Sequence, residues 1–314
     1  MSFNKCLYTE GGRRRCLGKA VILCGPLLLA LLLPFPSQAA QLRDQTGKLV
    51  ELPQRAHRII SLAPNITELV FALGAGDSLA GCCQHSNYPP ETRSLPRVGS
   101  YYRPDLERIV ALRPDLCLAV QDGTPVIVLE RLEQMGIPVF VLNPQSLESL
   151  REALLLLGEA LDRREEAELL AVGMDERLAR EDATVAEHIR QGKHRPTVLI
   201  RVQAKPFMAA ARGTYPAELV ERSGGRVPLQ GDVLYPRMSA EQLLALSPDI
   251  IIVPEGGPMQ PESPPGALHA VPVHSLPEDL LFRPSLRSLD ALDAIIRLLW
   301  AQEAPVASFG RGGR

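Results

Sequence analysis

The chain has 314 residues, of which 46% are hydrophobic, 22% charged and only 4% aromatic, and its formal net charge is −2. This composition is typical of a globular protein long enough for two domains. It excludes a polytopic membrane protein, which needs several uncharged runs of about 20 residues, a wholly disordered chain and a strongly basic nucleic-acid-binding protein.

The first 39 residues have the features of an export signal. Basic residues at positions 13–15 and 19 precede an uncharged run over residues 20–35, and small residues stand at positions 37 and 39. This pattern predicts cleavage after Ala39 and an exported protein. A retained membrane anchor is the alternative, although the apolar run is short for a span of about 20 residues.

Short β-branched runs alternate with helical patterns in the first half of the remaining chain. Glycines end two of the helices, and Arg113-Pro114-Asp115 separates a third helix from the next strand. The pattern predicts strands over residues 58–62, 116–120 and 137–142, and helices over residues 67–73, 106–112 and 126–135. Alternation of this kind indicates an α/β lobe with a mostly parallel sheet.

The second half repeats this order. Strands are predicted over residues 197–202 and 250–253, and helices over residues 217–222, 240–246 and 289–300. Residues 240–253 match residues 106–119 at a constant spacing, with the same helix, Pro-Asp break and strand. This internal duplication predicts two lobes of one architecture.

A long helical segment connects the two halves. One predicted helix ends near residue 161 and a second covers residues 163–189, with almost no glycine or proline in either. At about 1.5 Å per residue the second helix spans on the order of 40 Å and is able to bridge two lobes, although a coiled-coil helix is the alternative. The predicted division is a signal peptide (1–39), an N-terminal lobe (40–161), a linking helix (162–192), a C-terminal lobe (193–303) and a disordered tail (304–314).

Aromatic residues are concentrated in the predicted loops. Those in loops are Tyr88, Tyr101, Tyr102, Phe207, Tyr215, Tyr235 and Phe282. Because parallel sheets bind ligands at the carboxyl ends of their strands, loop aromatics of both lobes are expected to face one cleft. Such a cleft suits a large, partly apolar ligand. Two or three of these rings are expected to pack within the lobes instead.

Catalytic and metal-binding motifs are scarce. The chain has no phosphate-binding loop, nucleophile elbow or His-Glu-x-x-His motif, which disfavours an enzyme. Among the histidines, His85 is the one near the loop aromatics, which disfavours a bare-metal cage of three or four ligands. His85 is able to cap a metal held by an organic ligand, and an ordinary hydrogen-bonding role is the alternative. Cys82 and Cys83 are adjacent, so a disulfide would join one of them to Cys117, and burial as small apolar residues is the alternative.

Glu107 and Glu241 occupy equivalent points at the start of the duplicated helices. A carboxylate in the first helical turn is favourable by up to about 1 kcal/mol, which is one explanation for both. The symmetry allows a second explanation, in which two carboxylates on matched lobes dock onto two basic patches of a dimeric partner.

Four stretches of the sequence resemble the periplasmic cobalamin-binding proteins of ABC importers. They are RIISLAPNITELVFALGAG from residue 58, HSNYPPE from residue 85, PRVGSYYRPDLERIVALRPDLCLA from residue 96 and YPRMSAEQLLALSPDIIIV from residue 235. The wider family includes receptors for siderophores, heme and cobalamin, and the resemblance covers roughly residues 57–300. It implies two α/β lobes joined by one rigid helix, limited lobe closure, and delivery to a dimeric permease with cytoplasmic ATPases.

The resemblance also implies roles for individual residues. Glu107 and Glu241 match the family glutamates that contact permease arginines. The ligand-facing positions and the Asp/Arg pair of the last cleft loop map onto His85, Tyr101, Phe207, Tyr235, Asp279 and Arg283. With Tyr88 and Tyr102, these residues form the expected ligand site, in which rings stack on the macrocycle and the Asp/Arg pair bonds its peripheral amides.

The sequence therefore predicts an exported, monomeric solute-binding protein that captures a corrinoid between its lobes and presents it to an ABC importer. No catalytic activity, cofactor or nucleic-acid partner is expected. A ferric-siderophore or heme receptor is the alternative within the class. An exported enzyme or a signalling module on the same fold is the alternative outside it.

Overall fold

The computed structural model describes residues 40–255, 268 and 270–300, so the predicted signal peptide and C-terminal tail lie outside it. The strands are β1 (Ala40–Arg43), β2 (Leu49–Leu52), β3 (Ile59–Ser61), β4 (Leu79–Cys82), β5 (Gly99–Ser100), β6 (Arg103–Pro104), β7 (Leu116–Val120), β8 (Val139–Leu142), β9 (Val198–Gln203), β10 (Met208–Ala209), β11 (Ile250–Glu255) and β12 (Val273–Pro277). The α-helices are α1 (Pro64–Ala72), α2 (Leu106–Ala111), α3 (Val126–Gln134), α4 (Leu147–Ala160), α5 (Arg164–Arg190), α6 (Tyr215–Arg222), α7 (Ala240–Leu246), α8 (Glu278–Phe282) and α9 (Ser288–Trp300).

The first lobe is built on a parallel four-stranded sheet of order β4-β3-β7-β8. Every residue of β7 is buried, and successive side chains point to opposite faces of the sheet. Leu118 packs in one cluster with Leu69 of α1, whereas Cys117 packs in another with Ile109 of α2 and Leu132 of α3. Helices therefore cover both faces of the sheet.

The second lobe has the same plan. Its sheet has the order β10-β9-β11-β12, in which β9, β11 and β12 are parallel and only β10 is antiparallel. Ile250 and Ile252 of β11 face one cluster, whereas Ile251 and Val253 face another that contains Leu243 of α7. The prediction of two similar, mostly parallel α/β lobes is confirmed.

The duplicated segment has the same backbone conformation in both lobes. Arg113 and Ser247, at matching positions, both adopt the left-handed conformation, with φ of 48° and 43°. This conformation ends each helix just before the Pro-Asp break, where a helical residue would meet the proline ring. Asp105 and Ser239 begin the two helices, and each side chain accepts a hydrogen bond from a backbone amide of the first turn.

The linking helix is confirmed as a single element of 27 residues, α5. It packs on α4 and α9 of its own chain. Its buried residues, which include Ala171, Met174 and Val185, belong to the same hydrophobic cluster as strands of both lobes. No helix in the described ranges is long and apolar enough to cross a membrane.

A charged cluster joins the linking helix to α9. Nη2 of Arg177 lies 2.9 Å from Asp290 Oδ1 and also contacts Asp293. Partial burial, together with a hydrogen bond to Asp293, raises the pKa of Glu181 to about 7. Protonation of Glu181 therefore stabilises this junction, because its hydroxyl then donates to the Asp293 carboxylate.

We expect the stability of the protein to fall as the pH rises from about 5 to 8. Because the pKa of Glu181 is raised in the folded state from 4.5 to about 7, its contribution is fully present below pH 4.5 and is lost as the pH rises through 7. Replacement of Glu181 by Gln, which does not ionise, should flatten this dependence. Thermal unfolding measured across this range tests the expectation, and parallel Tm profiles for the wild type and Glu181→Gln would contradict it.

Candidate functional site

The candidate cleft lies where the carboxyl ends of strands from the two lobes meet. The loop after β4 carries His85, the loop after β7 carries Asp122, and β12 leads directly into α8 with Asp279. The lobes touch here, since Asn87 Nδ2 donates a hydrogen bond to Asp279 Oδ2 at 2.8 Å. This is the edge at which parallel sheets bind ligands.

Three rings of the first lobe form a cluster in this cleft. The ring centroids of Tyr101 and Tyr102 are 5.1 Å apart in an edge-to-face arrangement. The His85 ring lies 6.1 Å from the Tyr101 ring and 6.3 Å from the Tyr102 ring. Tyr101 and Tyr102 retain 36% and 56% of their surface exposed. The cluster is therefore available to stack on a flat ligand.

Gly123 makes room for the Tyr101 ring. Its φ of +113° lies in a region that L side chains rarely adopt, and a Cβ atom here would stand 2.7 Å from the ring. Glycine at this position thus allows the loop after β7 to approach the aromatic cluster closely.

Tyr235 adds a ring from the second lobe. Burial raises the pKa of Tyr235 and of Tyr101, and the negative charge of Asp122 raises both further. Glu278 of the second lobe also raises the pKa of Tyr101. Rings of both lobes therefore lie within electrostatic range of the same carboxylate, Asp122.

Three other loop aromatics lie inside the lobes. Phe207 is only 8% exposed and packs in a hydrophobic cluster with Leu243. The predicted loop positions of Tyr215 and Phe282 are wrong, since these residues begin α6 and end α8. The Thr214 side chain accepts a hydrogen bond from a backbone amide of α6, which starts that helix at Tyr215.

Asp279 and Arg283 belong to a network that crosses between the lobes. Arg283 donates hydrogen bonds to Asp279 Oδ1 at 2.5 Å, to Asn87 Oδ1 at 2.7 Å and to Glu68 Oε1 at 2.9 Å. Arg287 donates to both carboxylate oxygens of Glu68, each at 3.1 Å. The side chain of Arg283 is only 11% exposed, so protein groups engage most of its guanidinium.

Sequence reasoning missed four residues of this region: Glu68, Asn87, Asp122 and Glu278. A signal existed for Glu68, which is a charged residue among the buried apolar positions of α1 and is itself 6% exposed. The other three follow strands or begin a helix, where polar residues are ordinary and carry no signal.

Tyr88 lies beside a separate cavity. The guanidinium carbon of Arg287 stands 4.2 Å above the Tyr88 ring centroid. The two side chains line a cavity of about 350 Å³ together with Arg177 of the linking helix. This cavity lies between α1 and α5, is not lined by His85, Tyr101 or Tyr102, and is too small for a macrocycle.

Glu107 and Glu241 are both exposed, in the first turns of α2 and α7. A hydrogen bond from the Ser239 side chain lowers the pKa of the Glu241 carboxyl, which is therefore ionised at neutral pH. Because the two helices are equivalent, each lobe presents its carboxylate at the same place.

Neither a metal cage nor a disulfide is found in the part of the chain that the structure describes. Cys82, Cys83 and Cys117 are free and fully buried, as small apolar residues would be. Burial raises the pKa of all three thiols, that of Cys117 to about 12, so they stay protonated. The capping of a ligand-held metal by His85 stays a prediction.

Comparisons with known proteins agree with this architecture. A family model described as periplasmic binding protein matches residues 59–264. A vitamin B12-binding protein of Yersinia pestis is 31% identical over 281 residues, which cover 88% of this chain and 97% of that protein. The solved structure of the periplasmic vitamin B12-binding protein of Vibrio cholerae is similar, with a TM-score of 0.69 and 30% identity over 79% of this chain and 98% of that one. A periplasmic heme-binding protein of Pseudomonas aeruginosa has a TM-score of 0.70 and 26% identity, over 79% of this chain and 94% of that one.

The family model covers most of the chain, and the fold, the two lobes and the linking helix agree with the solved relatives. The chain belongs to the periplasmic binding protein family.

Proposed function

We propose that this protein is a periplasmic receptor that captures a corrinoid in the cleft between its lobes and delivers it to an ABC importer. The observation that carries the proposal is the exposed cluster of His85, Tyr101 and Tyr102. Tyr235 of the second lobe lies, like Tyr101, within electrostatic range of Asp122. A corrinoid is a large flat macrocycle, and aromatic rings stack well on such surfaces. Relatives from Yersinia pestis and Vibrio cholerae are named for binding vitamin B12, which supports this choice.

Location and partners follow from the same proposal. The predicted export signal and the family membership support the periplasm. The protein acts as a monomer without a cofactor, a catalytic activity or a nucleic-acid partner. Glu107 and Glu241 dock onto two basic patches of a dimeric permease, and their equivalent exposed positions support this role.

The charge of the cleft favours a corrinoid over an anionic chelate. Asp279 is paired with Arg283. Asp122 and Glu278 form no ion pair with any residue that the structure describes, so they leave an excess of negative charge beside Tyr101. Heme carries two carboxylates, which these charges repel, whereas cyanocobalamin has no net charge.

The second candidate function is a heme or ferric-siderophore receptor. His85 is the observation that favours it, because an imidazole among exposed tyrosines is a suitable iron ligand. The heme-binding relative from Pseudomonas aeruginosa adds support.

Neutralising the two unpaired carboxylates separates these candidates. In the double variant Asp122→Asn/Glu278→Gln, we expect the affinity for heme to rise about tenfold, because removing two repulsive charges is worth ~1.4 kcal/mol in a partly solvated cleft. The affinity for neutral cyanocobalamin should change by less than about twofold. Parallel titrations of the two proteins with both ligands measure this.

The control is Glu176→Gln, which removes an exposed carboxylate from the linking helix and should change neither affinity. A wild-type protein that binds heme more tightly than cyanocobalamin would overturn the choice of ligand. A double variant that binds both heme and cyanocobalamin less tightly than the wild type would also overturn the choice of ligand.

A further inference from the structure

Two glutamates at matching positions tie the lobes together. Glu68 lies in the sequence Thr-Glu-Leu-Val of α1, and Glu218 lies in Ala-Glu-Leu-Val of α6, each shortly before the glycines that follow its helix. Glu68 is 6% exposed and Glu218 is half-buried. A carboxylate inside an apolar helix face is costly unless it is paired, so each position needs a partner.

Glu68 finds its partners in the other lobe. Its carboxylate accepts hydrogen bonds from Arg283 Nη1 at 2.9 Å and from Nε and Nη2 of Arg287 at 3.1 Å. The Glu68 side chain is 4% exposed, and the two arginine side chains are 11% and 23% exposed. Loss of one member would leave the others charged and desolvated.

The same arginines hold the loop of residues 85–88, which follows β4. Arg283 donates to Asn87 Oδ1 at 2.7 Å and approaches the His85 carbonyl oxygen at 3.4 Å. Arg287 stacks over the Tyr88 ring at 4.2 Å. Every residue of this loop except Ser86 thus has a contact with a guanidinium of the second lobe, and the His85 ring belongs to the aromatic cluster of the cleft.

Glu218 makes the corresponding connection in the opposite direction. Its Oε2 accepts a hydrogen bond from the backbone N–H of Leu147, the first residue of α4, at 3.0 Å. A carboxylate at a helix N-terminus is favourable for both groups. Here α6 of the second lobe is tied to α4, whereas Glu68 ties α1 of the first lobe to the segment of residues 283–287 between α8 and α9.

We propose that Glu68 is a positioning residue for ligand capture: through Arg283 and Arg287 it fixes the position of the loop of residues 85–88 relative to the second lobe. Glu218 is its symmetric counterpart. The cleft is then set before the ligand arrives, so little ordering free energy is spent on binding. Neither glutamate contacts the ligand itself.

The test measures lobe position without any ligand. Spin labels at Gln134→Cys of α3 and Ala245→Cys of α7 report the distance between the lobes, since both sites are exposed while the native cysteines are buried. We expect Glu68→Gln to broaden the distance distribution and to raise the Kd for cyanocobalamin at least tenfold. Glu218→Gln should broaden it less, because Glu218 accepts one hydrogen bond from an uncharged backbone amide, whereas the Glu68 carboxylate pairs with two guanidinium groups. Glu176→Gln should match the wild type.

A Glu68→Gln protein with the wild-type distance distribution and the wild-type Kd would overturn the proposal. If that variant does not fold, Arg287→Lys serves instead, because a lysine keeps the charge but does not bond both oxygens of Glu68 while covering the Tyr88 ring. An unchanged distance distribution in Arg287→Lys would also overturn the proposal. Failure of the wild type to bind cyanocobalamin would refute the proposed ligand, whereas the broadened distribution would still support the role of Glu68.

Discussion

Joint replacement of Glu107 and Glu241 by alanine is expected to reduce corrinoid uptake by cells to about a hundredth of the wild-type rate. The two carboxylates are exposed on separate lobes, and close charge pairs at interfaces contribute ~1.5 kcal/mol or more each. Loss of two such pairs weakens docking by ~3 kcal/mol, or roughly a hundredfold. Uptake of labelled cyanocobalamin by cells that depend on this protein is the measurement.

The same double variant should bind cyanocobalamin normally in solution, because neither carboxylate takes part in the contacts of the aromatic cluster or of the interlobe network. Each single variant should reduce uptake about tenfold, which would show that Glu107 and Glu241 each make a docking contact of their own. The control Glu176→Ala removes an exposed carboxylate from the linking helix and should leave uptake unchanged. Wild-type uptake by the double variant would remove the docking hypothesis and leave Glu107 and Glu241 as favourable charges of their helices.

Removal of the two exposed rings of the cleft is expected to weaken cyanocobalamin binding about a hundredfold. Each ring contributes ~0.5–1.5 kcal/mol from ring geometry and a similar amount from apolar burial, so Tyr101→Ala/Tyr102→Ala loses ~3 kcal/mol. Calorimetric titration gives the affinity directly. Both rings are at least one-third exposed, so we expect the fold to survive the change.

Phenylalanine at both positions is the matched control. Tyr101→Phe/Tyr102→Phe keeps the rings and should retain the affinity within about threefold, since stacking does not need the hydroxyl groups. A loss of the same size in both double variants would show that the hydroxyl groups bind the ligand. Unchanged binding by the alanine variant would place the ligand elsewhere.

Local elements were predictable because neighbouring residues encode them. The sequence predicts a strand over residues 116–120 and a helix over residues 163–189, and the structure has β7 at Leu116–Val120 and α5 at Arg164–Arg190. The Pro-Asp breaks also predict the two helix ends, since proline excludes the helical conformation just before it. The duplication then predicts a second lobe from the first.

The interlobe network was not predictable, because its partners lie far apart in the chain. Glu68 and Arg283 are 215 positions apart, and no local spacing connects a buried carboxylate with one arginine among many. The resemblance implies that Arg283 contacts the ligand, which stays a prediction, and the structure shows its guanidinium bonded to Glu68, Asn87 and Asp279. Tertiary pairing of charges decides where such a side chain points.

Aromatic residues in loops were a partial guide to the cleft. His85, Tyr101 and Tyr102 come together as expected, but Phe207 packs against apolar neighbours such as Leu243. Both outcomes are consistent with a loop position, because burial of a ring is favourable wherever an apolar surface is within reach. Only the packing of the second lobe decides that Phe207 is buried while Tyr235 stays exposed.

The central claim is that the cleft between the lobes binds a corrinoid, and calorimetric titration of residues 40–314 tests it most directly. Cyanocobalamin, heme and a ferric hydroxamate are titrated in parallel into the same protein. We expect saturable one-to-one binding of cyanocobalamin at micromolar concentrations or below, and much weaker binding of heme. Absence of heat with cyanocobalamin, together with saturable binding of an iron chelate, would contradict the claim and assign the cleft to iron.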